Sequence, residues 1–363
     1  MTKHIAIIAP NLHGNGAVRV TLNQAKALRD AGHRPELFIL LAEGDFSVPD
    51  GIPVHYLAQS DDGDKKRLSP PSAQQLQQLV RQVENSQGAF DLFLSNTARC
   101  DKMAAACDFQ PLYLISHCAL RQELRDALKQ GPLKLLKRIR QARVMHGRHV
   151  IGVSEGIAHE LSHLSWLKPA SVRAIYNAFP IDDIRALAAA PHPDLPAQPY
   201  MIHVGRLARQ KRHDILFQAL RRMPDAPPLV LLCNKPDKAR ALAQRHGVAD
   251  RVIIPGFQTN PYPWIAGAEL MLLSSDYEGL PTVLIEALIC GTPVVSTDCP
   301  YGPAEILTGA LARYLVPCRD PAALAQAAQA CLNEQPDVRH AAILTQVTSQ
   351  QVAAQLIELC NHA

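Results

Sequence analysis

The segment SSDYEGLPTVLIEALICGTPVVST at 274–297 holds two carboxylates, Glu278 and Glu286, with seven residues between them. A strand ending at Leu273 runs into a polar turn, and Gly279-Leu280-Pro281 opens a helix with proline at an early position, where it is tolerated. The first N–H groups of a helix have no intrahelical acceptors, and together with the positive end of the dipole they make an anion site. Such a terminus suits a diphosphate. Glu278 lies in the turn and Glu286 about one and a half turns into the helix, so the two serve different places along one ligand. The ligand contacts expected here are Glu278, Gly279, Leu280, Thr282, Val283 and Glu286.

A second group of charges follows an expected strand in HVGRLARQKR at 203–212. Arg206 and Lys211, on a strand-to-helix loop, converge on a phosphate pair, the arginine as a planar fork and the lysine as a point charge. Two cations beside a helix N-terminus neutralise a departing diphosphate, work otherwise often given to Mg²⁺. No metal is therefore expected. Arg209 and Arg212 read as solvated or helix-capping residues.

In the first half, PNLHGNGAVR at 10–19 puts Gly14 and Gly16 between a strand and a helix. The loop lacks the third glycine and the later acidic residue of a dinucleotide site, and a simple tight turn is its alternative reading. His117 ends another strand, on the edge where open α/β sheets bind ligands. Ser95, Asn96 and Thr97 end a further one and suit acceptor contacts. Gly256 and Phe257, in VIIPGF, suit a nucleobase, with the core as the other reading of Phe257; Cys233 and Asn234 are expected to line the same pocket. Ser154, Glu155 and Asn177 suit helix capping and hinge packing. Cys299 has no histidine partner and reads as a structural thiol.

These residues need elements that bring strand ends together. Short Ile/Val/Leu runs alternate with segments of helical period, the pattern of βαβ units around a buried parallel sheet. Strands are expected at Ile5–Ala9, Pro35–Leu40, Val54–Tyr56, Leu92–Ser95, Leu112–Ser116, Val150–Val153 and Val172–Ile175, then at Met201–Val204, Leu229–Cys233, Val252–Ile254, Leu270–Leu273 and Pro293–Ser296. Helices are expected near 18–31, 212–222, 236–246, 281–289, 320–332 and 338–360. The stretch 188–199 has four prolines in twelve residues and reads as a linker. The division is then 1–187 for an acceptor domain, 200–340 for a nucleotide-sugar domain, and 341–363 for a C-terminal helix packing back on the first domain.

The text around Glu278 and Glu286 resembles the E-x7-E motif of retaining family 4 glycosyltransferases, and HVGRLARQKR resembles their G-R-x4-K. The loop at 10–19 resembles their glycine stretch, with Val18 where glutamate is common. The resemblance implies a GT-B fold, two Rossmann-like doubly wound α/β domains facing across a cleft. It implies that Glu278 faces the donor sugar, Glu286 binds the ribose hydroxyls, and His117 contacts sugar and reaction centre. Catalysis would rest on Glu278, His117, Arg206 and Lys211, with Gly16 near the donor phosphate or the acceptor. TDCPYGPAEIL at 297–307 resembles a stretch of cell-surface glycan transferases that use UDP-sugars. A UDP-sugar 2-epimerase on the same architecture, or a binding protein without catalysis, are the alternatives.

The 363 residues suffice for two domains, and 47% hydrophobic with 19% charged residues is ordinary for a globular chain. Nine scattered cysteines read as reduced thiols, and the N-terminus reads as a strand rather than a signal peptide, so a cytoplasmic location is expected. A net charge of +4 does not indicate nucleic acid. Between 121 and 148, however, nine Lys and Arg stand against Glu123 and Asp126, with Leu124, Leu128, Leu135, Leu136, Ile139 and Met145 at helical spacing. That pattern fits a basic amphipathic helix on an anionic membrane surface, or a solvated face on its own domain.

Overall fold

The computed structural model describes residues 1–13, 16–42, 46–58 and 71–361; Gly14 lies outside them. Two compact units emerge, Met1–Phe179 with Val347–Ala363, and Pro180–Gln346.

The first unit is built on seven parallel strands, β1 (His4–Ala9), β2 (Arg34–Ile39), β3 (Val54–Tyr56), β4 (Leu92–Ser95), β5 (Leu112–Ser116), β6 (His149–Gly152) and β7 (Ser171–Ala174). Their spatial order is β3-β2-β1-β4-β5-β6-β7. β1, β4 and β5 are buried along their whole length, which is why they read as unbroken apolar runs rather than alternating ones. The helix Gly16–Asp30 turns Leu22, Ala25 and Leu28 inward, and it packs against the helix Ser349–Glu358.

The second unit repeats the scheme with β8 (Met201–Val204), β9 (Leu229–Leu232), β10 (Val252–Ile253), β11 (Leu270–Leu273), β12 (Val294–Thr297) and β13 (Leu315–Val316), in the order β10-β9-β8-β11-β12-β13. Its core gathers Leu216, Phe217, Leu220, Leu231, Leu272 and Leu324, each worth roughly 1.5–3 kcal/mol of burial. Both sheets are doubly wound. The order of strands reverses between β1 and β4 in one and between β8 and β11 in the other, and ligand sites form at the strand C-terminal ends of such switch points.

Three expectations from the sequence need correction. The single helix at 338–360 is two, Ile343–Gln346 and Ser349–Glu358, because Thr348 caps the second by accepting from Gln351 N–H. The basic stretch from 121 to 148 is also two main helices, Leu120–Lys129 and Pro132–Ala142, since Gly131 stands at φ 118° before a proline that lacks an N–H. β13 was not expected, being two residues long and lacking a run to mark it. The chain enters the second unit at Pro180, ahead of 188–199, and the helix Ile181–Ala188 packs on the helices Tyr262–Ala266 and Thr282–Cys290.

Candidate functional site

In the second unit the switch point gathers the loop after β8 and the loop after β11. One backbone bond and one side-chain bond stitch them together: Asp276 N–H donates to Gln210 O at 2.8 Å, and Ser274 Oγ donates to Lys211 O at 2.8 Å. Within that frame Lys211 Nζ donates to Glu278 Oε1 at 2.7 Å. Ser275 Oγ donates to the same oxygen at 2.5 Å, and Gln210 Nε2 lies 3.4 Å from Oε2 and donates to Tyr277 O at 2.9 Å. Glu278 is 8% exposed. A carboxylate this buried needs a cation and neutral donors together to offset its desolvation, and it has both.

The far side of the loop is fixed by residues after β12. Glu278 N–H donates to Pro300 O at 2.7 Å, and Tyr301 N–H donates to Glu278 O at 3.2 Å. Gly302, at φ 99°, lies against the Gly279-Leu280-Pro281 turn, where a Cβ would come within 2.5 Å of Pro281 Cδ. The conformation and the close approach both require glycine there. The helix Thr282–Cys290 begins without a side-chain cap, and Glu286 is buried on it. Leu280 is buried, and Thr282 and Val283 are half-buried. Arg206 is exposed, with no side-chain hydrogen bond among the described residues.

Beneath Lys211 lie two buried imidazoles, His203 and His213, with ring centroids 4.9 Å apart. His203 Nδ1 meets Leu272 O at 2.8 Å, while Nε2 of each ring has no partner among the described residues. Burial first, and then nearby charge and the neighbouring ring, hold His203 far below the usual histidine range; burial and then Lys211 push His213 down to about 4. Both are neutral at pH 7. A Cβ at Gly205 would sit 3.1 Å from His203 Nε2 and 3.6 Å from Lys211 Cε, so this glycine lets the lysine stem lie over the ring.

The first unit treats its candidates differently. Ser95 and Asn96 are fully buried, and Ser95 Oγ donates to Asp101 Oδ1 at 2.6 Å. Burial pushes Asp101 up to about 8. Asn96 Nδ2 donates to Gln24 Oε1 at 3.2 Å, and its Oδ1 lies 3.3 Å from His117 Nε2. Thr97 caps the helix Ala98–Ala104. Ser95 and Asn96 thus spend their side chains on protein partners at this strand end. Desolvation lowers His117 to about 4, leaving it a neutral ring after β5. Gly16 opens its helix in free space, where a Cβ would meet nothing within 4 Å. Ser154 caps the helix Glu155–Ser162, and Asn177 lines a small cavity with Gln24 and Asn96.

One family model, described as Glycosyltransferase Family 4, matches residues 14–183, and another, described as Glycosyl transferases group 1, matches residues 198–334. Each half of the chain is thus similar to a different glycosyltransferase family model. A Campylobacter jejuni N-acetylgalactosamine-N,N'-diacetylbacillosaminyl-diphospho-undecaprenol 4-alpha-N-acetylgalactosaminyltransferase is 31% identical over 157 residues, 42% of this chain and 42% of that protein. A Salmonella typhimurium lipopolysaccharide 1,6-galactosyltransferase is 28% identical over 45% of this chain and 46% of its own. The chain thus spans under half the length of these curated relatives. Anabaena Alr3699/HepE, solved in complex with UDP and glucose, superposes with a TM-score of 0.75 at 21% identity over 99% of this chain and 100% of its own. That likeness establishes the GT-B fold.

Within the second unit, other expected contacts divide. Gly256 stands at φ 94° and its carbonyl accepts from Cys233 N–H, while Phe257 is 53% exposed, which removes the core reading of that ring. Cys233 packs in the hydrophobic core instead of a pocket, and Asn234 braces the Arg206 loop by accepting from Leu207 N–H at 3.0 Å. Arg212 is not solvated: it pairs with Asp214 at 2.8 Å and Asp276 at 3.2 Å, and Asp276 also holds Arg319 at 2.9 Å. Cys299 is buried, and burial pushes its thiol up, against any nucleophilic role. Gln210 and Asp276 were missed because their partners come from other loops, and Ser275 because a serine three residues before a glutamate carries no distinctive signal. Among the described residues no cluster of His, Cys, Asp and Glu is placed to hold a metal ion.

Proposed function

We propose that the chain is a retaining, metal-independent glycosyltransferase that moves a hexose or N-acetylhexosamine from a UDP-sugar to a glycan or lipid-linked acceptor. Lipopolysaccharide or surface polysaccharide synthesis, at the inner face of the cytoplasmic membrane, is the setting. The observation that carries this reading is the 2.7 Å contact of Lys211 with Glu278 at the switch point of the second unit. In this reading the cation binds phosphate and the carboxylate faces the sugar, and their contact beside an uncapped helix N-terminus supports it. The relatives named above, one acting on a diphospho-undecaprenol-linked glycan and one on lipopolysaccharide, support the acceptor class.

In this reading an acceptor hydroxyl attacks the anomeric carbon on the face the diphosphate leaves. The bond from the anomeric carbon to the phosphate oxygen breaks, the bond to the acceptor oxygen forms, and the departing phosphate takes the hydroxyl proton. Arg206, Lys211 and the N–H groups at 282 and 283 stabilise the charge that grows on the diphosphate. Lysine has three N–H donors, so Lys211 can keep Glu278 while reaching phosphate. Glu278 then holds sugar hydroxyls, Glu286 the ribose, and Phe257 with Gly256 the base edge. His117, neutral, offers a hydrogen bond to the sugar without adding charge.

The test is a panel of UDP- and GDP-sugars with the purified chain, following nucleotide release and the sugar product. Slow release of UDP without acceptor, faster with a lipid-linked glycan, and an α-linked product from an α-linked donor are expected. An epimerised UDP-sugar formed without acceptor would assign the chain to the isomerases, and donor binding with no release at all would make it a binding protein.

A further inference from the structure

We propose that the helical hairpin formed by Leu120–Lys129 and Pro132–Ala142 is a docking surface for an anionic lipid bilayer, with Leu128, Leu133 and Leu136 as its inserting tip. The proposal deepens the functional reading above and rests on it for the lipid-linked acceptor, but the surface itself stands on its own geometry.

The tip is unusual in what it leaves uncovered. Leu133 is 82% exposed, Leu128 59% and Leu136 44%, all around the turn at Gly131. The hairpin buries Leu120, Ala127 and Ala142 instead, so these leucines are surplus to its own packing. Leu133, Leu136, Lys137 and Arg140 are spaced by three and four residues and share one face of the second helix.

The charges are sorted as well. The two carboxylates of the hairpin are spent internally, Glu123 on Arg138 and Asp126 on Lys129. Arg121, Arg125, Lys134, Lys137, Arg140 and Arg143 are exposed and have no acidic partner among the described residues. What the hairpin exposes is leucines interleaved with cations. Leucines enter the acyl boundary and the cations meet lipid phosphates. A second copy of the chain would present the same exposed cations and be repelled. A nucleic acid would leave three leucines in water. No described helix is long and apolar enough to cross a membrane, so attachment through this face is peripheral and salt-sensitive.

The experiment is co-sedimentation of the whole chain with vesicles of phosphatidylcholine alone or with about a third phosphatidylglycerol. Binding to the anionic vesicles only, weakened by salt, is expected. Replacing Lys134, Lys137, Arg140 and Arg143 together by Gln should weaken it by roughly a hundredfold or more. Leu133→Ser with Leu136→Ser should weaken binding in both low and high salt. Both variants change exposed side chains, so matching thermal unfolding confirms that they fold, and UDP release in solution should be unchanged. Equal binding to neutral vesicles, no binding to anionic ones, wild-type binding by both variants, or tighter binding to a DNA duplex than to anionic vesicles would each overturn the proposal. Vesicle failure with intact UDP release removes only the docking surface; vesicle binding without any nucleotide-sugar chemistry removes only the enzymatic reading.

Discussion

The two units answer the same topological opportunity with opposite chemistry. At the switch point of the second, ionised groups pair across two loops, Lys211 with Glu278 and Arg212 with Asp276, and Arg319 joins them. At the corresponding strand ends of the first, the contacts are hydrogen bonds rather than ion pairs: Ser95 with Asp101, whose carboxyl burial pushes up to about 8, and Asn96 with Gln24, beside a His117 that burial holds down to about 4. A charged lattice can receive a diphosphate by sharing its cations. A hydrogen-bonded network offers dipoles, which suits hydroxyl groups.

The sharpest way to break this contrast is to remove the cation. Lys211→Ala should lower turnover of the nucleotide sugar by roughly 10²–10³-fold, the range for one charge-stabilising donor. Ser275 and Gln210 remain on Glu278, so the loop keeps its shape. Undiminished turnover would end the phosphate role of Lys211. The second test acts on the support behind it. Gly302→Ala places a methyl against Pro281 at a φ of 99° that alanine resists, and should cost about 2–3 kcal/mol in urea unfolding while also raising the KM for donor. A stable variant with normal KM would show that the turn at 279–281 does not depend on this contact.

How much of this was legible beforehand follows from the range of the interactions. Buried parallel strands announce themselves as apolar runs, so twelve of the thirteen strands sit within a residue of expectation and Val54–Tyr56, Leu92–Ser95, Leu112–Ser116, Met201–Val204 and Leu270–Leu273 match. Lys211 and Glu278 were marked by motif spacing, yet their mutual contact spans 67 residues and no local pattern encodes it. Arg212 does stand at the N-cap of the helix His213–Arg221, as expected, but its pairing with Asp276 was not legible because that carboxylate arrives from the next loop. The burial of Ser95 depends on a helix that returns Asp101 onto the strand end, which the sequence gives only as polar residues after a strand. Gly131 was passed over within a periodic basic stretch, although a glycine before a proline should end a helix.

The buried imidazoles give a third, intermediate test. His213 is held near 4, below its ordinary 6.5, so the unfolded chain binds the extra proton as pH falls through 6.5. Its contribution is therefore whole above that value and is lost progressively towards pH 4, by about 2 kcal/mol at pH 5. His213→Phe should flatten the fall of unfolding free energy between pH 7 and 5. An unchanged slope would mean that the ring is not what titrates under Lys211.

The smallest effect bears on the first unit. Thr97 was expected to touch the acceptor, whereas its side chain accepts from Cys100 N–H at 3.5 Å as a helix cap. A cap of this kind is worth about 1 kcal/mol. Thr97→Ala should therefore lower stability by that amount, or less given the long contact, and leave the KM for acceptor where it was. Thr97→Ser, which keeps the hydroxyl, should restore the stability. If Thr97→Ala instead raises the acceptor KM with stability intact, the strand ends of the first unit do bind acceptor directly, and the contrast between the units becomes one of ligand rather than of role.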